Sequence, residues 1–519
     1  MPALAVSELR SPGVGLVEGV LGDVLHRAVR EGPEDLLLST PATGGTWTAA
    51  QLLADARVVA AGLLRDRAPG ARIATCLGNG PAPVLLQLGV ALAGMTLVPI
   101  NPRSRPAELE HALRLSGAAC VFAAEDVAGN PVADLCAAVA GVEVVRVGAD
   151  WRAALPEAVP GELPVVDPES LAQVQFTSGT TGRAKGVRIT HRAMVVTGHA
   201  FAERLGPTAG RTWCNPMPLF HTAGNVLGVV GALWARAEHV VLPFAPGPVL
   251  QALADRRVTM LSAAPTLLDL LAAQGPPGLP DLRVLFTGGM TVTPAFVDRV
   301  EQVFDARLSI TFGMTETCGA VLQTAPTDPD PMRRETVGAP LAGTDVRIAG
   351  PDGDAVPPGT PGELWVRGAR ITRGYLDDPP ATAAAIDADG WLHTGDLAAM
   401  DAGGACRVVG RLKDMIKTGG ENVSPVEVEE VLAEHPDVAR AAVVGVPDER
   451  WGELVVAFVV PAGGRDPHPD ELTAHCRERL SPFKVPRSWR VVDELPMTAS
   501  AKVQRAELRR IAAEPSTVP

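Results

Sequence analysis

Three short stretches of this chain gather side chains that could handle a phosphate ester. The first is Phe176-Thr-Ser-Gly-Thr-Thr-Gly-Arg-Ala-Lys-Gly-Val187. Thr177, Ser178, Thr180 and Thr181 are hydroxyl donors. Gly179 and Gly182 let the backbone curl and turn its N–H groups outward. Lys185 adds a mobile positive charge. These are the parts of a loop that wraps a polyphosphate, although the spacing differs from the Walker pattern. A plain Ser/Thr/Gly surface turn has the same composition. The second stretch is Thr311-Phe-Gly-Met-Thr-Glu-Thr317, where an apolar run meets a glycine turn that presents Thr315 and Glu316. Ligands of open α/β sheets sit at the C-terminal end of a parallel strand. There Glu316 offers the hard oxygen that Mg²⁺ prefers. The third is His393-Thr-Gly-Asp396, in which a carboxylate after a tight turn could accept ribose hydroxyls.

The elements around these stretches alternate. Leu171–Phe176 reads as a strand, and a helix begins at Thr190, its N-cap, so the first loop is expected between a strand and a helix. Upstream, after loose residues 1–15, helices are expected over Leu21–Arg30, Thr48–Arg65, Val84–Ala93 and Pro106–Ser116. Strands are expected over Ala71–Cys76, Thr96–Ile100 and Ala119–Phe122. Downstream the pattern repeats, with helices 190–204, 223–236, 265–274 and 294–304. The strands of this half are 239–243, Val258–Ser262, Arg283–Thr287 and Leu308–Phe312. Such alternation predicts two similar, mainly parallel sheet units covered by helices. From Arg333 the chain becomes rich in Pro and Gly, which predicts a smaller β-rich subdomain. After Gly410 a compact α+β unit follows.

Composition narrows the function. The 519 residues carry 46 basic and 59 acidic side chains, a net charge of −13, which argues against a nucleic-acid or anionic-membrane surface. The seven cysteines (76, 120, 136, 214, 318, 406 and 476) are scattered, with no Cys-x-x-Cys. That argues against a disulfide framework or structural zinc and favours a reducing cytoplasm. No signal peptide or C-terminal lipidation signal is evident. The apolar run Val84–Ile100 is short for a membrane span and is broken by Gly89, Gly94 and Pro99, so a buried helix followed by a buried strand is expected.

Taken together the motifs resemble the adenylate-forming superfamily of acyl-CoA synthetases, luciferases and non-ribosomal peptide synthetase adenylation domains. The resemblance runs from the first α/β unit to Leu495-Pro-Met-Thr-Ala-Ser-Ala-Lys502. It implies an α/β fold whose N-terminal AMP-binding domain, residues 1–410, holds two similar sheet subdomains and a small β-rich one. An α+β C-terminal domain, residues 411–519, would rotate about a hinge near Lys413. The chain is then expected to be an AMP-forming acid–thiol ligase, with ATP, Mg²⁺ and coenzyme A as cofactor and co-substrates.

In that reading Thr177–Gly182, Lys185, Gly288, Gly289, Phe312, Gly313 and Thr315 surround ATP, and Glu316 holds the metal. Asp396 and Arg411 hold the ribose. Lys502 reaches the reacting oxygens, with Thr315, Glu316 and His221 as its catalytic companions. Gly419, Gly420 and Glu421 line the thiol side. His221, Ala223, Gly224, Gly228, Ser262, Gly288 and Gly319 line the acid pocket. Amino-acid-activating relatives commonly carry an Asp where this chain has His221, so an α-amino acid is disfavoured. Three residues depart from the common pattern. Ala184 replaces a proline, Phe312 a tyrosine, and Ala501 a glycine, which would strain a left-handed turn by roughly 1–2 kcal/mol. The expected partner is a small carboxylic acid, medium-chain, branched or aromatic. A separate acyl carrier protein or an amine is the alternative acceptor, and a homodimer is compatible. Neither nucleic acid nor a membrane span is expected.

Overall fold

The computed structural model describes residues 4–11, 17–156, 158–177, 184–206, 210–276, 278–290, 292–463, 467–497 and 503–513. Its strands form four sheets. The six-stranded sheet runs, edge to edge, Glu143–Val147, Cys120–Ala124, Arg72–Cys76, Thr96–Pro99, Leu171–Phe176 and Gly186–Thr190. Its first five strands are parallel and the last pair antiparallel. The nine-stranded sheet has a parallel centre from Arg307–Phe312 through Val284–Gly288, Met260–Ser262, Thr212–Asn215 and Glu238–Val241 to Leu36–Thr40. Antiparallel strands close both of its edges. These two sheets are the predicted covered units.

Helices Ala49–Asp66 and Pro81–Leu92 cross closely because Gly89 faces Val59; a Cβ on Gly89 would lie 2.5 Å from Val59 Cγ1. Buried helix Pro81–Leu92 is followed by buried strand Thr96–Pro99, as the broken apolar run suggested. Among the described residues no helix is long and apolar enough to cross a membrane. The third sheet, Thr344–Ala349, Gly362–Gly368, Leu392–Met400 and Cys406–Arg411, is antiparallel. Its edge strand is Glu8–Leu9, so the first fifteen residues are not all loose as expected. The fourth sheet, from Ile416 to Val491, is built on the long hairpin of Val438–Asp448 with Gly452–Pro461. All seven cysteines are buried and none is in a disulfide.

Two local departures matter for the site. Gly186–Thr190 is a strand, paired antiparallel with Leu171–Phe176. The phosphate-type loop is therefore the tip of a hairpin, and Thr190 caps the helix that follows by accepting from Ala193 N at 3.1 Å. The segment predicted as one helix over 223–236 is a π-helix over Ala223–Val230 that continues as an α-helix over Gly231–Ala235. Its glycines sit where no Cβ fits. One on Gly224 would lie 2.2 Å from Pro218 O, and one on Gly228 would lie 1.9 Å from Asn215 Nδ2. π turns recur at functional sites.

Candidate active site

The parallel strand Arg307–Phe312 delivers its C-terminal end to a tight turn. A Cβ on Gly313 would stand 2.3 Å from Gly319 O and 2.6 Å from Ala320 Cα, so only glycine lets residues 313–319 close on themselves. Met314 N donates to Thr317 Oγ1 at 2.9 Å and fixes the single helical turn Thr315–Thr317. This leaves Thr315 and Glu316 buried, at 8 % and 7 % exposure. The Glu316 carbonyl accepts from Thr372 N at 2.8 Å, and Glu316 Oε1 accepts from the Tyr375 hydroxyl at 2.9 Å. Gly288 is paired with Thr311 on the adjacent strand, with a Cβ position 2.5 Å from Thr311 O. Gly289 follows it at the exposed strand end.

The hairpin approaches the same turn. Thr177 N donates to Lys185 O at 3.1 Å across its mouth. His111 Nε2 lies 2.8 Å from Ala184 O, which steadies the position where proline is usual. Ser178, Gly179, Thr180, Thr181 and Gly182 lie outside the described residues, as do Ala501 and Lys502. Lys185 Nζ stands 4.6 Å from the centroid of the Tyr375 ring, within cation–π range. One tyrosine thus touches both the lysine of the first motif and the carboxylate of the second.

The third motif lies on the third sheet. Asp396 and Arg411 are directly opposite in the ladder, and Arg411 Nε donates to Asp396 Oδ1 at 2.8 Å. Asp396 is 3 % exposed, and its N–H donates to Thr394 Oγ1. The Gly395 N–H donates to Glu363 Oε1 at 3.0 Å, and His393 stacks on Trp365 at 4.0 Å. Phe312 and Met314 pack on the apolar face made by Leu364, Val366 and Leu392, so the Asp396 sheet docks on the Glu316 turn.

On the acid side, Ala223 N donates to His221 Nδ1 at 3.2 Å just before the π-helix. Gly319 faces this element, with its Cβ position 3.3 Å from Thr222. The Ser262 hydroxyl accepts from Trp213 Nε1 at 2.6 Å, and Trp213, Phe201 and Phe286 pack ring to ring behind it. Gly224, Gly228 and Ser262 therefore serve close packing. Arg370, fully buried, donates to the carbonyls of Ala320 and Ala342 and pins the segment that follows Gly319. Burial pushes its pKa down to about 10.

The thiol-side candidates sit on the fourth sheet. Gly419 and Gly420 have φ of +61° and +86° and form the turn between Ile416–Thr418 and Glu421–Val423. Gly419 N donates to Trp451 O at 2.8 Å, and Arg487 lies over the Trp451 ring at 3.7 Å. Lys413 is in the single turn Leu412–Asp414 that joins the third sheet to the fourth. Its amine is held below the usual lysine range by burial and by Arg411. An open cleft of about 490 Å³ runs beside it, lined by Leu412, Lys413, Met415, Lys417, Gly452 and Glu453.

Known proteins share this architecture. Residues 25–376 match the model of the AMP-binding enzyme, and residues 427–502 match that of the AMP-binding enzyme C-terminal domain. The chain belongs to the AMP-binding enzyme family. Within this family it is 37 % identical, over 89 % of its length and 95 % of the relative's, to a methyl-dioxo-octahydroindenyl-propanoyl:CoA ligase of Mycobacterium tuberculosis. It is 38 % identical, over 85 % of its length and 89 % of the relative's, to a feruloyl-CoA synthase of an Amycolatopsis species. Among solved structures, ATP-bound MatB from Rhodopseudomonas palustris superimposes with a TM-score of 0.87 at 27 % identity, covering 96 % of this chain and 99 % of that one. Tyr375 and Trp451 were not singled out from the sequence. The signals that could have found them are a lone tyrosine after Gly374 and a tryptophan before Gly452-Glu453.

Proposed function

We propose that this chain is an AMP-forming acid–thiol ligase that converts a small carboxylic acid to its acyl-CoA thioester through an acyl-adenylate. The observation that carries the reading is the meeting of Lys185 and Glu316 at one tyrosine, beside the C-terminal end of a parallel strand. A phosphate-side cation and a hard, buried carboxylate are the donor set that suits Mg²⁺ and a triphosphate. Bound at Glu316, magnesium would supply charge neutralisation on the phosphates.

In the first step the substrate carboxylate attacks the α-phosphorus of ATP, an acyl–oxygen to phosphorus bond forms, and pyrophosphate leaves with its bonding electrons. The loop Thr177–Lys185 holds the leaving pyrophosphate. Asp396 and Arg411 hold the ribose, Phe312 offers a face to the adenine, and Lys502 steadies charge on the reacting oxygens. Catalysis here is positioning and preorganised charge. In the second step the thiol attacks the acyl carbon and AMP leaves. We assign the boundary between residues 1–410 and 411–519 to a rotation about Lys413. The rotation withdraws Lys502 and brings Gly419–Glu421 to the adenylate, keeping water off the mixed anhydride.

The acid we propose is an apolar, ring-sized one. Pro218–Asn225 carries no acidic residue to pair with a substrate ammonium. The curated relatives named above activate ring-bearing acids. The reaction would take place in the cytoplasm.

The test is pyrophosphate release with ATP and a panel of aliphatic and aromatic acids, with and without coenzyme A, with products weighed by mass spectrometry. Turnover that needs coenzyme A and yields an acyl-CoA is expected. Adenylate accumulating with coenzyme A present would refute the acceptor and point to a carrier protein or an amine.

A further inference from the structure

We propose that Tyr375 is a positioning residue that holds the Lys185 amine and the Glu316 carboxyl group apart, ready for metal-bound ATP; this rests on the ligase reading above. Tyr375 is the only tyrosine among 519 residues. It lies in the connection between strand Gly362–Gly368 and helix Pro379–Ala385, outside the three chemistry-bearing stretches.

The backbone around it is tied to both sides of the site. Leu376 N donates to Gly186 O at 2.7 Å, Arg188 N to Gly374 O at 3.0 Å and Arg373 N to Arg188 O at 3.0 Å, so residues 373–376 run beside the hairpin that carries Lys185. Thr372 N donates to Glu316 O at 2.8 Å, so the same segment is fastened to the metal-side turn. Tyr375 N donates to Thr382 Oγ1 at 2.9 Å and fixes the backbone at the tyrosine itself. A backbone tied at this many points fixes where the ring starts from.

Its two faces of chemistry then do different work. The hydroxyl, at the edge, donates to Glu316 Oε1 at 2.9 Å. The π face receives Lys185 Nζ at 4.6 Å. Hydrogen bonding through Oε1 orients the carboxylate and leaves Oε2 for a cation. The amine over the ring face and the carboxylate at its edge are held by different parts of one ring, so metal-bound ATP has no direct ion pair between them to break. Cation–π attraction holds the ammonium more loosely than a buried carboxylate would, so a phosphate can take it.

The experiment compares Tyr375→Phe, Tyr375→Leu, Glu316→Gln and the double variant Tyr375→Phe/Glu316→Gln. Mn²⁺ binding to the enzyme with α,β-methylene ATP is followed by electron paramagnetic resonance, beside the Mg²⁺ dependence of pyrophosphate release. Tyr375→Phe keeps the ring and is expected to weaken Mn²⁺ binding about tenfold, the size for one hydrogen bond to a charged group. The KM for the acid should not move. Tyr375→Leu should weaken the ATP analogue severalfold more, because Lys185 loses its seat. In the Glu316→Gln background Tyr375→Phe should change Mn²⁺ binding by less than twofold. Unchanged Mn²⁺ binding in Tyr375→Phe overturns the proposal. So does a loss of equal size in both backgrounds, since a merely structural tyrosine would act there too. Because the Mn²⁺ measurement needs no turnover, failure of every acid in the panel would sink the ligase reading and leave this test readable.

Discussion

Acid should weaken this protein between pH 7 and pH 5, through histidines that the fold keeps neutral. His239 is buried on Glu238–Val241, an inner strand of the nine-stranded sheet, and burial holds its pKa down to about 3. His191, also buried, is held at about 4 by desolvation, which outweighs the opposing pull of Asp23. Burial lowers His199 as well. The unfolded chain binds the extra proton from an ordinary pKa of about 6.5 downward. Stability is therefore complete above that pH and is lost as the pH falls toward the folded values. At pH 5 the linkage costs about 2 kcal/mol for His239 and about 2 kcal/mol for His191, large against a typical margin of 5–15 kcal/mol.

The geometry says where the loss begins. Asn215 Oδ1 accepts from Met217 N at 3.0 Å, so Asn215 Nδ2 is the donor to His239 Nε2 at 2.9 Å. A proton on that nitrogen would set donor against donor beneath Gly228 of the π-helix. Carboxylates whose pKa the fold lowers, such as Glu169 and Glu8, lose their stabilisation only below about 4.5, and Glu430, raised by burial, acts in the opposite sense to the histidines as the pH falls, so the loss on acidification is assigned to the histidines. Urea melts at half-unit steps of pH, on wild type and His239→Gln, are the assay. The variant should lose about 2 kcal/mol less than wild type between pH 7.5 and 5. Equal losses in the two proteins, or a flat wild-type profile, would refute the reasoning.

Three further outcomes are expected. Asp396→Asn should raise the KM for ATP roughly 10–100-fold, the size for a lost charged hydrogen bond, and leave the acid KM alone, as read by pyrophosphate release. Gly313→Ala should lower stability by about 1–3 kcal/mol and abolish adenylation, because its Cβ meets the backbone of Gly319 and Ala320; a melt and the same assay check it. Lys502→Ala should lose about 10²–10³ in adenylation while sparing thioester formation from supplied acyl-adenylate, and equal losses in both half-reactions would be wrong for its proposed role.

Much of this was legible in the sequence because the parallel strands are buried on both faces and read as short apolar runs. Pro106–Ser116 and Pro294–Phe304 announced their own starts with proline in the first turn. The strand Gly186–Thr190 was not legible. Its five residues follow a glycine-rich loop, and its other neighbour, the 373–376 segment, is far away in the chain. The π-helix was also hidden, since one extra residue in a turn leaves the apolar periodicity of Ala223–Val230 nearly unchanged. The contact between Tyr375 and Glu316 was not legible either, because the two lie 59 residues apart. Local patterns report which face is apolar, not which distant side chains converge.

The burial of every cysteine has a practical side for an enzyme whose second substrate is itself a thiol. Coenzyme A in storage and in cells is accompanied by its disulfide, which would cap any accessible thiolate. Exchange needs both access and a thiolate. Burial raises Cys120 and Cys476 to about 11 and Cys214, Cys318 and Cys406 to about 12; Cys136 is lowered by its hydrogen bond with Cys76, but both of that pair are buried in the core and out of a reagent's reach. The native protein should therefore stay silent toward an aromatic disulfide reagent. Consumption of free coenzyme A could then be followed continuously by colour, with no background from the catalyst until it unfolds.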